Sequence, residues 1–453
     1  MINMATKSRR SDSRRSSPVP PSRDIALQVL GHCLDKGQPL QESLDAALRN
    51  RQPAPDPRDA GLATESVYGV CRFKGRLDFL LDHRLTRPDS IPPLVRRILL
   101  LAAYELLFLD RVPAYASVSW AVDAVKRVAP HLGKVANGVL RSLDRMRDEA
   151  FSLDFYLHTA SDTSSGMAAW YGVPFWLYEH LAAMNPDLAH AVLDERLSQP
   201  PLGIRFNPRV SGSEDLADAY RSVAGVVAST TSGVAFASDQ SPDPVELAAY
   251  IDDGRLSRQS LASQDALLRL DPASWVGPIL DCCSGRGGKT QLYLERWDES
   301  IWASDIHSAR LRGLAEECRR LHLKRPLMFR ADARRLPLVA EGEGRRPRTI
   351  LIDAPCSGLG VMSRRPDIAW RLRPDDLSKL RKIQAEILEA TGASLGSGSR
   401  LLYMTCTVDA FENERAVSGL TASDGRFVLE NEYQTENPDV LKERFYAASI
   451  RVR

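Results

Sequence analysis

The chain has 453 residues, with 60 Lys+Arg against 58 Asp+Glu, 43% hydrophobic and 26% charged residues. That length exceeds one ordinary domain, the composition excludes a wholly disordered chain, and the +2 balance neither demands nor forbids a nucleic-acid partner. Seven scattered cysteines, with no CxxC pair and no Cys/His cluster of zinc spacing, argue against a disulfide framework or a metal site. No metal is therefore expected, and neither is a membrane partner, because no apolar run approaches a membrane span. The basic N-terminus has no hydrophobic segment behind it, which makes the cytoplasm the default location.

In chain order, residues 1–22 form a Ser/Arg/Pro tail with almost nothing apolar, expected to be disordered. Residues 23–150 carry helical periodicity throughout, interrupted at Pro53-Ala54-Pro55, Pro88, Pro92-Pro93 and Pro113. Leu94 to Leu109 is apolar enough to be the central helix of a bundle. Residues 151–165, ending in Ser161-Asp162-Thr163-Ser164-Ser165, read as a linker, and residues 166–250 as a small α+β connector. Within the connector, Trp170–Met184, Pro186–Leu197 and Ser213–Val223 look helical, while Gly203–Asn207, Gly225–Ser229 and Val234–Ala237 look extended. Residues 255–453 then alternate strand and helix. The strands expected are Pro278–Cys282, Ile301–Asp305, Leu327–Ala331, Thr349–Asp353 and Arg400–Thr405. That alternation predicts an α/β domain with a Rossmann-like parallel sheet, and ligands bind such sheets beyond the carboxyl ends of the strands.

The first of these strands runs into Cys282-Cys283-Ser284-Gly285-Arg286-Gly287-Gly288-Lys289-Thr290. Glycines let the backbone approach a ligand closely, but such a turn also suits dinucleotides or phosphates. It lacks the spacing of a Walker A loop. Asp305 ends the second strand, where a carboxylate can accept both hydroxyls of a ribose, and Asp332 follows the third, near where an adenine amino group would lie. Loop and acids together indicate S-adenosylmethionine more than a nicotinamide cofactor. The cofactor-binding candidates are Cys283, Ser284, Gly285, Arg286, Gly287, Gly288, Lys289, Asp305, Asp332 and Asp353.

Two more cysteines stand at strand ends: Cys356 in Asp353-Ala354-Pro355-Cys356-Ser357-Gly358, and Cys406 in Thr405-Cys406-Thr407. Cytosine C5 is a poor nucleophile until a thiolate adds to C6 and makes the ring enamine-like. Such chemistry needs an attacking thiolate, a group stabilising the ring around N3 and N4, and a means of releasing the adduct. Cys406 and Cys356 are candidates for attack and release, and Asp353 for ring stabilisation. Cys282 and Cys318 read as small buried hydrophobes.

Together with Arg365-Pro366-Asp367-Ile368 and Glu412-Asn413, these motifs resemble the RsmB/Sun (Fmu) family of bacterial 16S ribosomal RNA cytosine-5 methyltransferases, within the wider NOL1/NOP2/Sun enzymes. Residues 23–150, with Ala136-Asn137-Gly138-Val139-Leu140-Arg141, resemble the NusB-like RNA-binding domain. The resemblance covers nearly the whole chain from Arg23. It implies Cys406 as nucleophile, Cys356 as the residue assisting release, S-adenosylmethionine as methyl donor and RNA as substrate; a monomer is expected. Departures stand at Ser284-Gly285-Arg286 for Ala-Ala-Pro, Ser260 for an acid, Ala369 for Lys, and Ala410-Phe411 for Pro-Glu. Arg286 is expected to add a charge near the cofactor. Arg364, Arg365, Arg371 and Arg373 are candidate RNA backbone contacts. Three alternatives remain open at this point: a non-catalytic RNA-binding or assembly factor, the same chemistry on transfer RNA or another ribosomal site, and a DNA enzyme attacking with Cys356.

Overall fold

The structure is a computed structural model and describes residues 19–338 and 346–453. Of the tail expected over 1–22, residues 1–18 lie outside the described residues, and Pro21 already opens the first helix. The chain divides into two compact units, residues 1–173 and 174–453.

The first unit is helical: α1 (Pro21–Leu30), continued by a π turn, α2 (Leu40–Arg49), α3 (Pro57–Asp82), α4 (Pro93–Phe108), α5 (Ala114–Val128), α6 (Gly133–Arg145), the single turn α7 (Arg147–Ala150), α8 (Leu153–Thr159) and α9 (Thr163–Trp170). Prolines open α1, α3 and α4, where the missing N–H costs nothing. α4 is the central helix, with an unbroken buried run from Ile98 to Leu107. The run includes one carboxylate, Glu105, which accepts hydrogen bonds from Arg23 (2.8 and 2.9 Å), Ser117 (2.7 Å) and Trp120 (2.9 Å). Full pairing is what makes a buried charge tolerable. The stretch expected as a linker instead forms α8 and the start of α9. Asp162 caps that helix by accepting from the Ser165 N–H at 2.8 Å, and Tyr156 of α8 is fully buried.

The second unit begins with α10 (Phe175–Met184) and α11 (Pro186–Leu197), so the helix expected over 170–184 is broken before Pro174. A four-stranded antiparallel sheet follows, in the order β2-β3-β1-β4, from β1 (Leu202–Phe206), β2 (Val226–Ser229), β3 (Gly233–Phe236) and β4 (Leu256–Arg258). α12 (Ser213–Arg221), α13 (Pro244–Asp252) and α14 (Leu261–Leu268) accompany it. Then come β5 (Ile279–Asp281), α15 (Gly288–Arg296), β6 (Ile301–Asp305), α16 (Ser308–Arg320), β7 (Leu327–Arg330), β8 (Thr349–Asp353), α17 (Ile368–Arg371), α18 (Pro374–Ala393), β9 (Arg400–Thr405), α19 (Glu414–Ser423), β10 (Phe427–Gln434), α20 (Pro438–Leu441) and β11 (Tyr446–Val452).

These strands form one sheet in the order β10-β11-β9-β8-β5-β6-β7. The five strands read from the sequence pair in parallel, whereas β11 runs antiparallel to both its neighbours. Alternation along each strand builds two cores. Ile279, Leu351, Leu402 and Met404 pack with Leu267, Leu292 and Tyr293 of α14 and α15. Leu280, Ile350, Ile352, Leu401 and Tyr403 pack with Ile387 and Leu388 of α18 and Val417 of α19. With helices on both faces, the carboxyl ends of β5, β6, β8 and β9 are left to carry the site.

Candidate active site

β5 and β8 are parallel neighbours, as are β8 and β9, so the loops leaving their carboxyl ends converge. The Cys356 and Cys406 sulfurs lie 3.3 Å apart as free thiols, and the Cys406 N–H points at the Cys356 sulfur at 3.4 Å. The Lys289 ammonium, from the first turn of α15, sits 2.6 Å from Oδ2 of Asp353 at the end of β8. Lys289 is buried while Asp353 is part-exposed, so the carboxylate has one face toward solvent. The hydrogen bond from the Cys356 thiol, helped by Lys289 and Arg365, holds the Cys406 thiol below its usual range against the effect of burial. The same hydrogen bond, and then burial, push Cys356 well above it. Burial works against the Lys289 charge, but Asp353 outweighs it and keeps the ammonium protonated. The two shifts favour the thiolate at Cys406 over Cys356.

The thiols are fixed by a clamp of buried polar groups. Glu412, fully buried, accepts from the Ser357 N–H at 2.9 Å and from Gln384 at 2.8 Å, and Gln384 also donates to the Pro355 carbonyl at 2.9 Å. The Ser357 and Thr407 hydroxyls are 2.7 Å apart, the Gly360 N–H donates to the Cys406 carbonyl at 3.0 Å, and Asn413 donates to the Thr407 carbonyl at 3.0 Å. Glu412-Asn413 stood out in the sequence as a motif. Its role of holding both cysteine loops was not legible there, nor was that of Gln384, because these contacts join distant segments.

On the cofactor side, the Gly285 N–H donates to Asp305 Oδ2 at 3.0 Å and the His307 N–H to Oδ1 at 2.7 Å, which ties the glycine turn to the end of β6. Gly285 has φ +57° and open space where a side chain would project; Gly287 has φ +86°, and a Cβ there would come within 2.2 Å of Leu314. An open backbone turn beside an anchored carboxylate at the next strand end suits a nucleoside-bearing ligand such as S-adenosylmethionine. Ser284 bonds to the Ser304 carbonyl through its N–H (2.9 Å) and its hydroxyl (3.2 Å), and Cys283 is part-exposed. Gly288 opens α15.

Several of the candidates already have partners within the protein. The Arg286 guanidinium lies against Gly313 of α16, and only its carbonyl, bonded to Gln291 at 2.9 Å, serves the turn. Asp332 is gripped through both oxygens by Arg334 (2.7 to 3.1 Å), which holds its carboxyl below the usual range. Among the candidate RNA contacts, Arg364 pairs with Glu443 at 2.6 Å and Arg371 with Asp367 at 3.0 Å, whereas Arg365 and Arg373 are exposed. Ser260, in place of an acid, caps α14 and donates to Glu443.

The arrangement has known counterparts. Residues 267–442 match the 16S rRNA methyltransferase RsmB/F family, and residues 20–145 match the NusB family. The chain is 33% identical over 402 residues to ribosomal RNA small subunit methyltransferase B of Xylella fastidiosa (strain 9a5c), covering 88% of this chain and 90% of that protein. It is 32% identical over 406 residues to the protein of that name from Escherichia coli O6:K15:H31, covering 86% and 87%. In fold, it superposes on the crystal structure of PH0851 with a TM-score of 0.72 at 21% identity, covering 96% of this chain and 99% of that one. NSun6 from Pyrococcus horikoshii, solved with SFG, gives 0.51 at 20% identity, covering 61% and 97%. Among the described residues, no helix is long and apolar enough to cross a membrane. A helical NusB unit, a methyltransferase sheet and identity sustained over most of both chains establish that this chain belongs to the RsmB/F family of methyltransferases.

Proposed function

We propose that the chain transfers a methyl group from S-adenosylmethionine to C5 of a cytosine in 16S ribosomal RNA, by way of a covalent bond between Cys406 and C6 of that cytosine. The observation that carries this reading is the pair of free thiols 3.3 Å apart beside the Lys289–Asp353 pair. The family and the named relatives support the ribosomal substrate.

Cys283–Lys289, Asp305 and Asp332 would hold S-adenosylmethionine, which supplies an electrophilic methyl group when bound. The remaining steps belong to the chain's own residues. The Cys406 thiolate adds to C6, and the ring's electrons make C5 nucleophilic. Asp353, turned by Lys289, faces the N3/N4 edge and stabilises the activated ring. After C5 has taken the methyl group it loses its proton to a base; the C6–sulfur bond then breaks, its electron pair returns to Cys406, and the ring regains its double bond. Cys356, protonated and adjacent, assists that release. The target base has to leave its stack to reach the thiols.

Cys406→Ala is expected to abolish methyl transfer to a 16S ribosomal RNA transcript, and Cys356→Ala to accumulate a protein–RNA adduct on a denaturing gel. Full turnover by Cys406→Ala, or an adduct formed by that variant, would overturn the assignment. Bisulfite sequencing of ribosomal RNA from a deletion strain identifies the cytosine.

A further inference from the structure

We propose that a cavity beside the Cys406 loop is a second nucleotide subsite, one that takes the nucleotide flanking the target cytosine in a single-stranded stretch of the RNA. The inference rests on the reading of the chain as an RNA methyltransferase and extends it to how the substrate is gripped.

The cavity, of about 640 Å³, is bounded by α10 and α11 on one side and by the loop from β9 to α19 on the other. That volume falls within the roughly 300–1,000 Å³ of small-ligand sites. Its position follows from the catalytic loop: Thr407, the residue after Cys406, lines it, and so does Phe445, whose ring is 5.9 Å from the Lys289 ammonium. The cavity therefore borders the residue after Cys406 and the Phe445 ring beside Lys289. A strand whose target base is flipped to Cys406 has its neighbouring nucleotide at this opening.

The chemistry of the lining fits a base and its phosphate. Phe411 is a large aromatic left 46% exposed, with the guanidinium carbons of Arg381 and Arg415 at 4.3 and 4.0 Å from its ring centre. Arg381 is committed to Asp409 at 2.6 Å, and His180 lies 3.7 Å from the same carboxylate. Arg415 is exposed and makes no ion pair among the described residues, so its charge is available to a phosphate. Splayed bases in single-stranded RNA stack on guanidinium planes as well as on aromatic rings, and Phe411, with Arg381 and Arg415 against its ring, holds the exposed Arg415 guanidinium as such a platform. A flat apolar groove would fit a protein segment better; this one is a mixed cavity with an aromatic–cation stack at its mouth.

The test uses the full-length protein, a 16S ribosomal RNA transcript, and the variants Phe411→Ala and Arg415→Gln. Each is expected to raise the KM for RNA about tenfold, as loss of one base stack does, with kcat within about twofold and S-adenosylmethionine affinity unchanged. Arg415→Gln should also flatten the slope of log affinity against log salt by about 0.7, the value for one phosphate contact on a single strand. In a transcript carrying 4-thiouridine, photocrosslinks should map to the Phe411–Arg415 peptide in the wild type and be lost in Phe411→Ala. Should Phe411→Ala fail to fold, Arg415→Gln at an exposed position decides alone. Wild-type methylation with unchanged KM, salt slope and crosslinks in the variants would overturn the subsite while leaving the proposed function intact. Absence of 5-methylcytosine in the transcript with wild-type protein would overturn the function, and the subsite with it.

Discussion

Lys289 illustrates how far a residue's surroundings exceed its motif. In the sequence it closes a glycine-rich turn and reads as a cofactor residue. In the fold, β5 and β8 are adjacent, so the turn leaving β5 delivers its ammonium to Asp353 and into the electrostatic field of Cys406. Cys356 and Cys406 were legible as two thiols at strand ends of one sheet, whereas their convergence follows from the adjacency of β8 and β9 in the fold. The side-chain direction of Lys289 was not legible, since it depends on strand order, and so did the fate of Arg364, whose acidic partner is 79 residues away. The thiolate is the reacting form of a cysteine, and Lys289 is one of the charges that favour it. Lys289→Met should therefore move the acid limb of the kcat/KM profile to higher pH. Each unit of movement costs about tenfold in rate on that limb. A profile measured by methyl incorporation from pH 5.5 to 9 checks this; an unmoved limb would assign Lys289 a purely structural role.

At the scale of elements, the joint between β5 and α15 carries a buried charge problem. Asp281 ends β5, 1% exposed, and accepts the Thr290 hydroxyl of α15 at 2.6 Å. Burial pushes its carboxyl up to about 7. The unfolded carboxyl ionises near pH 4, so between these values the folded protein holds a proton that the unfolded chain has released. Asp281's contribution is therefore fully present below about pH 4 and is lost as pH rises through about 7. Asp281→Asn cannot ionise, so relative to wild type it should gain stability from pH 4.5 to 8, on the order of a few kcal/mol. Urea midpoints at both pH values test this, and equal differences at the two would refute it. The strand–helix alternation showed this joint in outline, whereas two other elements were hidden. Asp162 and its serines read as a linker because an N-cap and a loop use the same residues. The β10–β11 hairpin was missed because β10 is polar and largely exposed, with Glu430, Asn431 and Glu432 at its centre, and so lacks the apolar run of the parallel strands.

For the whole molecule, the small antiparallel sheet and the methyltransferase sheet belong to one compact unit, and the residues joining them reach the cofactor turn. Arg205 of β1, 1% exposed, donates to Glu295 of α15 at 2.8 Å and to the Gly288 carbonyl at 2.8 Å. Asn207 donates to the carbonyls of Gly254 (3.0 Å) and Leu321 (2.9 Å), which ties the same strand to the end of α16. Removing one member of a buried pair leaves the other charge uncompensated, at a cost of about 3–5 kcal/mol. Burial already pushes the Glu295 carboxyl above its usual value even with Arg205 present. Without Arg205 that carboxyl has to be buried either protonated or unpaired. Arg205→Met is therefore expected to destabilise the second unit by about 3–5 kcal/mol. A folded-state pKa raised further makes the deficit larger at pH 8 than at pH 5, because the contribution of such a group is lost as pH rises through it. Pairing the change with Glu295→Leu removes the orphaned charge and should restore most of the stability without restoring the bond to Gly288. Urea unfolding of the three proteins at both pH values separates these terms, and calorimetry with S-adenosylmethionine reads the cofactor turn. If the double variant regains stability and binds the cofactor as well as wild type, Arg205 serves the packing of β1 on α15 alone; weaker binding at regained stability makes it a positioning residue for the Gly288 turn.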